Sequence, residues 1–425
     1  MLFDYLEAPA KINLQLSILN KREDNYHDLL TLMEKIDLHD SLYIRVLDKR
    51  ELINYKKLER DKYTALNQLE DRRIAYSPTE ITNRIKGVFS ELNLNCEPGL
   101  LLKLHYSEIG AKYKYPDNDV VYEDLNLTPI VSENLVNDEM SKDDRLINVN
   151  IKIISWVTKL EARQNILMKV ISKYFSKMPS RIWKKYNIAQ IDIYLLKKIP
   201  FMSGLGGGSS DAAALLKYLD KTYPYLNRED LMSMASSIGA DVPFFIHKGT
   251  GICRGIGDDI SKFPSLAGLP CLIMKPKVSV STAKAFFDYD RFWMEMSIEN
   301  RELLSAEKVI AANKFYEIIK RYHSITHSKF SSDTKEEIKQ ISRKLFINGK
   351  NDFYPLLLKQ NMDFSAYYDS LKESSCIYAN LSGSGSAFFA LYINKSDADR
   401  AFDRLMMSDM RNNIEFLLSC KTASF

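Results

Sequence analysis

Four glycines within five residues constrain this chain more than any other stretch. Residues 200–210 read PFMSGLGGGSS, and Gly204, Gly206, Gly207 and Gly208 carry no Cβ. The backbone there reaches left-handed angles and lets an anion approach its N–H groups closely. Upstream, Ile191, Ile193 and Leu195 alternate like one face of a strand; downstream, residues 211–219 are helix formers throughout. The stretch therefore reads as strand, glycine turn and helix start, with Ser209 or Ser210 as the expected helix cap. A phosphate is the usual occupant of such a helix start, where free N–H groups and the positive dipole end converge. The plain alternative is a turn that only joins strand to helix. No Gly-Lys-Ser/Thr follows, and Ser209 stands where a dinucleotide motif needs its third glycine, so both common nucleotide folds are disfavoured.

Ahead of this loop, Ala10, Ile12, Leu14 and Leu16 alternate with Lys11, Asn13, Gln15 and Ser17, a period-two strand that puts Lys11 and Asn13 on one face. That face is either the solvated side of an edge strand or part of a site. A polar turn over residues 22–28 carries Tyr26 and His27, which could stack on a flat heterocycle or be ordinary loop residues. Residues 41–47 read as strand. Residues 49–160 hold charges of both signs and no glycine-rich site; within them, 77–80 form a capping box opening a helix to about 92, 100–106 a strand, 112–144 loop, and 147–153 a strand. A helix follows from about Asn165 to 175. After the glycine loop, residues 227–238 read as a helix capped by Asn227 and stopped by Gly239. Pro243 is expected to keep Val242 extended, so that Asp241 leaves a helix end and enters a strand; it is either an inward-facing carboxylate or a turn aspartate bonded to its own backbone. Residues 271–274 begin a second lobe whose middle, 283–350, is helical in pattern. Asn351-Asp-Phe is a further landmark, and strand-like runs at 376–381 and 387–393 flank a second glycine turn, Ser-Gly-Ser-Gly-Ser at 382–386, able to press backbone against a ligand or the first loop.

At 425 residues the chain is long enough for two lobes, and a formal charge of +4 with mixed signs offers no case for a nucleic-acid partner. Five cysteines without CxxC spacing argue against a zinc site or disulfide framework and fit a reducing compartment. The start, with Asp4 and Glu7, reads as no signal or transit peptide, and no apolar run approaches the roughly 18 residues that span a bilayer. The expectation is a cytoplasmic protein, monomer or homodimer, with no membrane partner.

Taken together, PAKINL at 9–14, DNYH at 24–27, IP and GLGGGSS across 199–210, GADVP at 239–243 and SGSG at 382–385 resemble the signature segments of the GHMP small-molecule kinases. Tyr26-His27 and the triple glycine bring the chain nearest to the branch acting on 4-diphosphocytidyl-2-C-methyl-D-erythritol in non-mevalonate isoprenoid synthesis. The resemblance implies an α+β, two-lobed GHMP kinase fold. Its N-terminal domain (1–262, with an insertion at about 49–160) would be like the second domain of a small-subunit ribosomal protein, and its C-terminal domain (263–425) ferredoxin-like. It implies ATP and Mg²⁺, the metal bound mainly through the nucleotide phosphates with no dedicated protein ligands. It also implies transfer of the γ-phosphoryl group to the 2-hydroxyl of that substrate; another small alcohol, or a non-catalytic nucleotide-binding role, are the competing readings.

By the same resemblance Asp241 is the general base and Lys11 sits beside it. Pro200, Phe201, Met202, Ser203, Gly204, Leu205, Gly206, Gly207, Gly208, Ser209 and Ser210 hold the phosphates, with Asn165 near the nucleotide. Asn13, Tyr26, His27 and Thr282 face the substrate, His27 reading the cytosine edge. Three departures stand out: Met202 where the family usually has glycine or alanine, Asn25 in place of the glycine common before Tyr-His, and the length of 49–160, read as an elaboration of the first lobe's sheet edge.

Overall fold

A computed structural model describes residues 4–54, 148–155, 165–326, 332–360 and 363–423. The expected helix at 77–92, strand at 100–106 and loop at 112–144 lie outside the described residues. The chain forms two compact units, one of Met1–Glu7, Ser41–Lys197 and Leu219–Tyr225, the other of Ala8–Asp40, Lys198–Tyr218 and Leu226–Phe425.

The first unit is a sheet with a helical crossover. Strands β1 (Asp4–Lys21) and β2 (His27–Asp48) enter it, β3 (Asn148–Ser155) forms, and helices α1 (Ile166–Lys177) and α2 (Ser180–Tyr186) lead to β4 (Ile188–Lys197). From Ser41 onward β2 pairs antiparallel with β4, while β3 pairs parallel with it, Asn148 opposite Gln190 through Ser155 opposite Lys197. A parallel pair cannot close through a hairpin, and α1 and α2 supply the crossover it needs. Asn165 starts α1 as its cap, its side-chain oxygen accepting from Leu167 N at 2.9 Å. Buried Arg45 and Asp192 pair across β2 and β4 at 2.9 Å from Nε.

The second unit holds the two glycine turns. Helix α3 (Gly207–Thr222) opens here, followed by α4 (Arg228–Ile238), α5 (Val242–Ile246), β5 (Thr250–Gly255), β6 (Asp259–Phe263) and β7 (Pro270–Pro276). Then come α6 (Thr282–Met294), α7 (Ile298–Thr326), α8 (Ser332–Asn348), α9 (Tyr354–Gln360), α10 (Asp363–Lys372), β8 (Tyr378–Leu381), β9 (Phe388–Leu391), α11 (Lys395–Met406) and β10 (Ile414–Lys421). The first part of β2 pairs with β5, and β5 with β6, all antiparallel. The other sheet runs β10-β7-β9-β8, antiparallel throughout.

The continuous apolar runs of β7 and β9 follow from burial on both faces. Cys271, Ile273, Phe389 and Leu391 join one core with Phe315, Tyr316 and Ile319 of α7 and Ile341 and Leu345 of α8. Leu272, Met274, Phe388 and Ala390 join another with Tyr289 and Trp293 of α6, Phe364 of α10 and Leu405 of α11. Alternate side chains point to opposite faces, so a strand between two helical layers needs an apolar residue at every position. Burying Phe388 and Phe389 stabilises the unit by about 2–3 kcal/mol each. Among the described residues, no helix is long and apolar enough to cross a membrane.

Candidate active site

The first glycine turn is held from both ends. Asp40 Oδ1 accepts from the backbone N of Lys198 and Ile199, the latter at 2.8 Å, and Ser203 Oγ donates to Pro200 O at 2.7 Å. Gly204 and Gly206 take φ of 77° and 74°, and α3 begins at Gly207 with Ser210 N bonded to Gly206 O at 2.9 Å. The serine cap expected from sequence is therefore displaced: Ser209 and Ser210 lie inside the first turn, and glycine backbone caps the helix. The left-handed Gly206 ends the loop three residues earlier than Ser209, and four earlier than Ser210, would have done. The first N–H groups of α3 remain available to an anion. Met202 also takes a left-handed φ, 50°, a conformation that costs a residue with a Cβ roughly 1–2 kcal/mol and that glycine adopts freely.

The second glycine turn locks into the first. Ser382 Oγ donates to Gly204 O at 3.1 Å, Ala387 N to Ser203 O at 3.1 Å, and Ser386 N to Met202 O at 3.4 Å. A Cβ on Gly204 would lie 2.0 Å from Ser382 O. The approach expected between the turns thus depends on bare backbone on both sides. Asn351 clamps the second turn from behind, its Nδ2 donating to Leu381 O and Gly383 O, each at 2.9 Å. The same Asn-Asp-Phe segment is stitched to β1, with Leu16 N donating to Lys350 O and Asp352 N to Leu16 O.

Lys11 sits against both turns. Its backbone N donates to Leu205 O at 3.0 Å, and Cβ atoms placed on Gly206 and Gly383 would come within 3.2 Å of its Cε and 3.4 Å of its Nζ. Lys11 and Asn13 are 3% and 1% exposed, so their shared face is interior and not the solvated side of an edge strand. Lys11 Nζ donates to Asn13 Oδ1 at 2.5 Å and lies 3.5 Å from Asp241 Oδ2. The asparagine's orientation is set behind it: Thr31 Oγ1 donates to Gln15 O, so it accepts from Asn13 Nδ2 at 2.9 Å, which turns Oδ1 toward Lys11. Asp241 is not at the head of a strand. It precedes α5, with φ −84° and ψ −9°, and makes no side-chain cap bond. Proline's fixed φ suits the first turn of a helix, and that preference overrides the extended bias it imposes on Val242. A carboxylate spared from capping, with its side chain 31% exposed, faces the Lys11 amine. Burial pushes the nearby Cys253 thiol up, and the Asp241 charge adds to this, so the sulfur stays protonated.

The remaining candidates divide. Tyr26 is exposed beside Asn25, whose φ of 66° is the left-handed angle a glycine would supply. His27 is buried, stacked on Phe286 at 4.6 Å, with Nε2 2.7 Å from Asp290 Oδ1. Thr282 Oγ1 lies 3.0 Å from Ser384 Oγ in the second turn. Asn165 lies in the other unit as the cap of α1. Asn351, Asp290 and Lys21 were not singled out as site residues from sequence, because each acts through a distant partner: Asn351 on Leu381 and Gly383, and Asp290 and Lys21 through partners more than 200 positions away. Among the described residues, no group of three or more His, Cys, Asp or Glu could hold a metal ion.

Residues 165–249 match the family described as GHMP kinases N terminal domain, and 334–409 match GHMP kinases C terminal. The 4-diphosphocytidyl-2-C-methyl-D-erythritol kinase of Lawsonia intracellularis is 32% identical over 56% of this chain and 70% of its own length. The kinase of the same name from Prochlorococcus marinus strain AS9601 is 25% identical over 97% of each chain. The crystal structure of a 4-(cytidine 5'-diphospho)-2C-methyl-D-erythritol kinase superposes with a TM-score of 0.52 at 18% identity over 99% of both chains. Homoserine kinase from Cytophaga hutchinsonii gives 0.53 at 14% identity over 99% of this chain and 95% of its own. At such identities the structural likeness speaks for the fold.

Proposed function

We propose, from the premise that this chain belongs to the GHMP kinase family and is a small-molecule kinase using ATP, that it phosphorylates the 2-hydroxyl of 4-diphosphocytidyl-2-C-methyl-D-erythritol. The observation that carries the reading is the meeting of Lys11 and Asp241 at 3.5 Å against the two glycine turns. Asp241 takes the proton as the hydroxyl oxygen attacks the γ-phosphorus; the bond from that phosphorus to the bridging oxygen breaks, and ADP leaves. Lys11, held by Asn13, offsets the negative charge of carboxylate and phosphoryl oxygens. Little covalent work falls to the protein in such a transfer, and positioning with charge stabilisation accounts for most of the rate.

The free N–H groups at the start of α3, with residues 200–210, hold the nucleotide phosphates. Ser210 Oγ is buried without a hydrogen-bond partner among the described residues, an oxygen left over in the first turn of α3 for a ligand. We assign it to Mg²⁺: Ser210 Oγ, together with the nucleotide phosphates, would hold the metal, which would supply charge neutralisation at the transferring group. Asn165 is assigned to the nucleotide, and Asn13, Tyr26, His27 and Thr282 to the substrate. The division into family domains 1–262 and 263–425, and action in the cytoplasm, belong to the same reading.

Protein incubated with Mg·ATP and the cytidyl substrate should yield ADP and the 2-phosphate, and Asp241→Asn should lower kcat by about 100- to 10 000-fold while ATP still binds. Full turnover in that variant refutes the base. Indifference of the site to CMP and CDP as competitors would move the substrate to another small alcohol.

A further inference from the structure

Thr282, Phe286 and Asp290 recur every four residues along α6 and so share one helical face. Thr282 touches the second glycine turn at Ser384, and Phe286 and Asp290 both touch His27: Phe286 stacks on the ring, and Asp290 Oδ1 lies 2.7 Å from His27 Nε2. At about 1.5 Å per residue the face is a ruler roughly 12 Å long between the glycine turns and His27. A substrate whose alcohol reaches Asp241 and whose far end reaches His27 is an extended molecule with a flat head.

The chemistry of that far end follows from what holds the imidazole. Asp290 Oδ2 accepts from Lys21 Nζ at 2.6 Å, and the ring of Tyr289 closes on His27 edge-on. Burial works to raise the Asp290 carboxyl, but the hydrogen bonds from Lys21 and His27 outweigh it and hold the group below its ordinary value. An ionised carboxylate only accepts, so the hydrogen on the Nε2 contact belongs to the ring. Lys21 supplies the counter-charge to that carboxylate. A ring whose one hydrogen sits on Nε2 carries its lone pair on Nδ1, and among the described residues Nδ1 has no hydrogen-bond partner.

We propose that Asp290, backed by Lys21, is a positioning residue that sets His27 as a hydrogen-bond acceptor, so that the subsite takes a heterocycle offering an N–H donor and rejects one offering a carbonyl. Among pyrimidines this selects the amino ring, cytosine, over the oxo ring, uracil. The inference rests on the cytidyl-substrate reading above and supplies its selector. A carbonyl set against the Nδ1 lone pair leaves two acceptors facing each other, which weakens binding about 10- to 100-fold.

Calorimetric titration of the full chain with CDP and with UDP tests this. The wild type should bind CDP at least about tenfold more tightly. In Asp290→Ala, and in the isosteric Asp290→Asn whose amide can also donate, the preference should collapse through weaker CDP binding, with the KM for ATP little moved. Parallel weakening of CDP and UDP, or a preference that survives both substitutions, overturns the assignment. A ligand-free readout stands beside it: ¹⁵N spectra, with the His27 signals identified by their loss in His27→Gln, should report a ring protonated at Nε2 only, and a proton on Nδ1 overturns it. If the wild type turns over the cytidyl substrate but its preference ignores Asp290, this inference alone fails. If it binds neither CDP nor UDP and phosphorylates another alcohol, the substrate reading fails, while the ring spectrum still decides the role of Asp290.

Discussion

Replacing Gly204 by alanine tests whether the two glycine turns hold one another. The added Cβ would sit 2.0 Å from Ser382 O, 2.9 Å from Ser382 C and 3.2 Å from Gly385 N, all backbone atoms that cannot rotate aside. Gly204 also has φ +77°, where a Cβ costs about 1–2 kcal/mol by itself. Relief of the contact means moving the turns apart, which strains or breaks the three hydrogen bonds that join residues 202–204 to 382, 386 and 387. At about 1 kcal/mol each, with the left-handed term, the loss comes to roughly 4–5 kcal/mol. Gly249 is the matched control: its φ is +75°, and nothing lies within 4 Å of the corresponding Cβ. Gly249→Ala should therefore cost only the left-handed term, about 1–2 kcal/mol. Urea unfolding of both variants gives the difference, and initial rates against ATP concentration should show Gly204→Ala raising KM well above the control. Equal destabilisation of the two, with unchanged KM for ATP in both, would refute the interlock.

Asn351→Ala removes both donors from the second turn, and its effect should appear mainly in the KM for ATP, with the KM for the phosphoryl acceptor nearly constant; steady-state kinetics with each substrate varied separates the two. Burial pushes the Glu34 carboxyl up to about 7, against the hydrogen bonds it accepts from Thr250, the Leu266 amide and Ser265. Between its unfolded value near 4.5 and about 7 the folded chain keeps a proton that the unfolded chain releases. Stability is therefore lost as pH rises through that window, by about 3 kcal/mol in total. Glu34→Gln should flatten this slope in urea midpoints taken at low and neutral pH, and an unchanged slope would show that other groups carry it.

Much of the fold was legible because its signals are local. The alternation of residues 10–16, the Asn227 cap, the Gly239 stop and the continuous apolar runs of β7 and β9 each depend on neighbours within a few positions. Where two local rules met, the wrong one was followed. Pro243 biases its predecessor toward extended backbone and also favours a helix's first turn, and α5 followed the second preference. Gly206 and Ser210 were both able to end the loop, and the glycine did.

The sequence by itself determined that a lysine on an alternating strand, an aspartate after a helix stop and two glycine turns were present, since residue type and spacing are written in the chain. Only the tertiary structure decided that Lys11 is buried, that Asp241 is spared from capping, and that Asn351 and Asp290 hold the second turn and the His27 ring. Those facts are contacts between positions far apart in the chain. No periodicity encodes them, because they exist only once the sheets and helices have packed and brought the partners within hydrogen-bond reach.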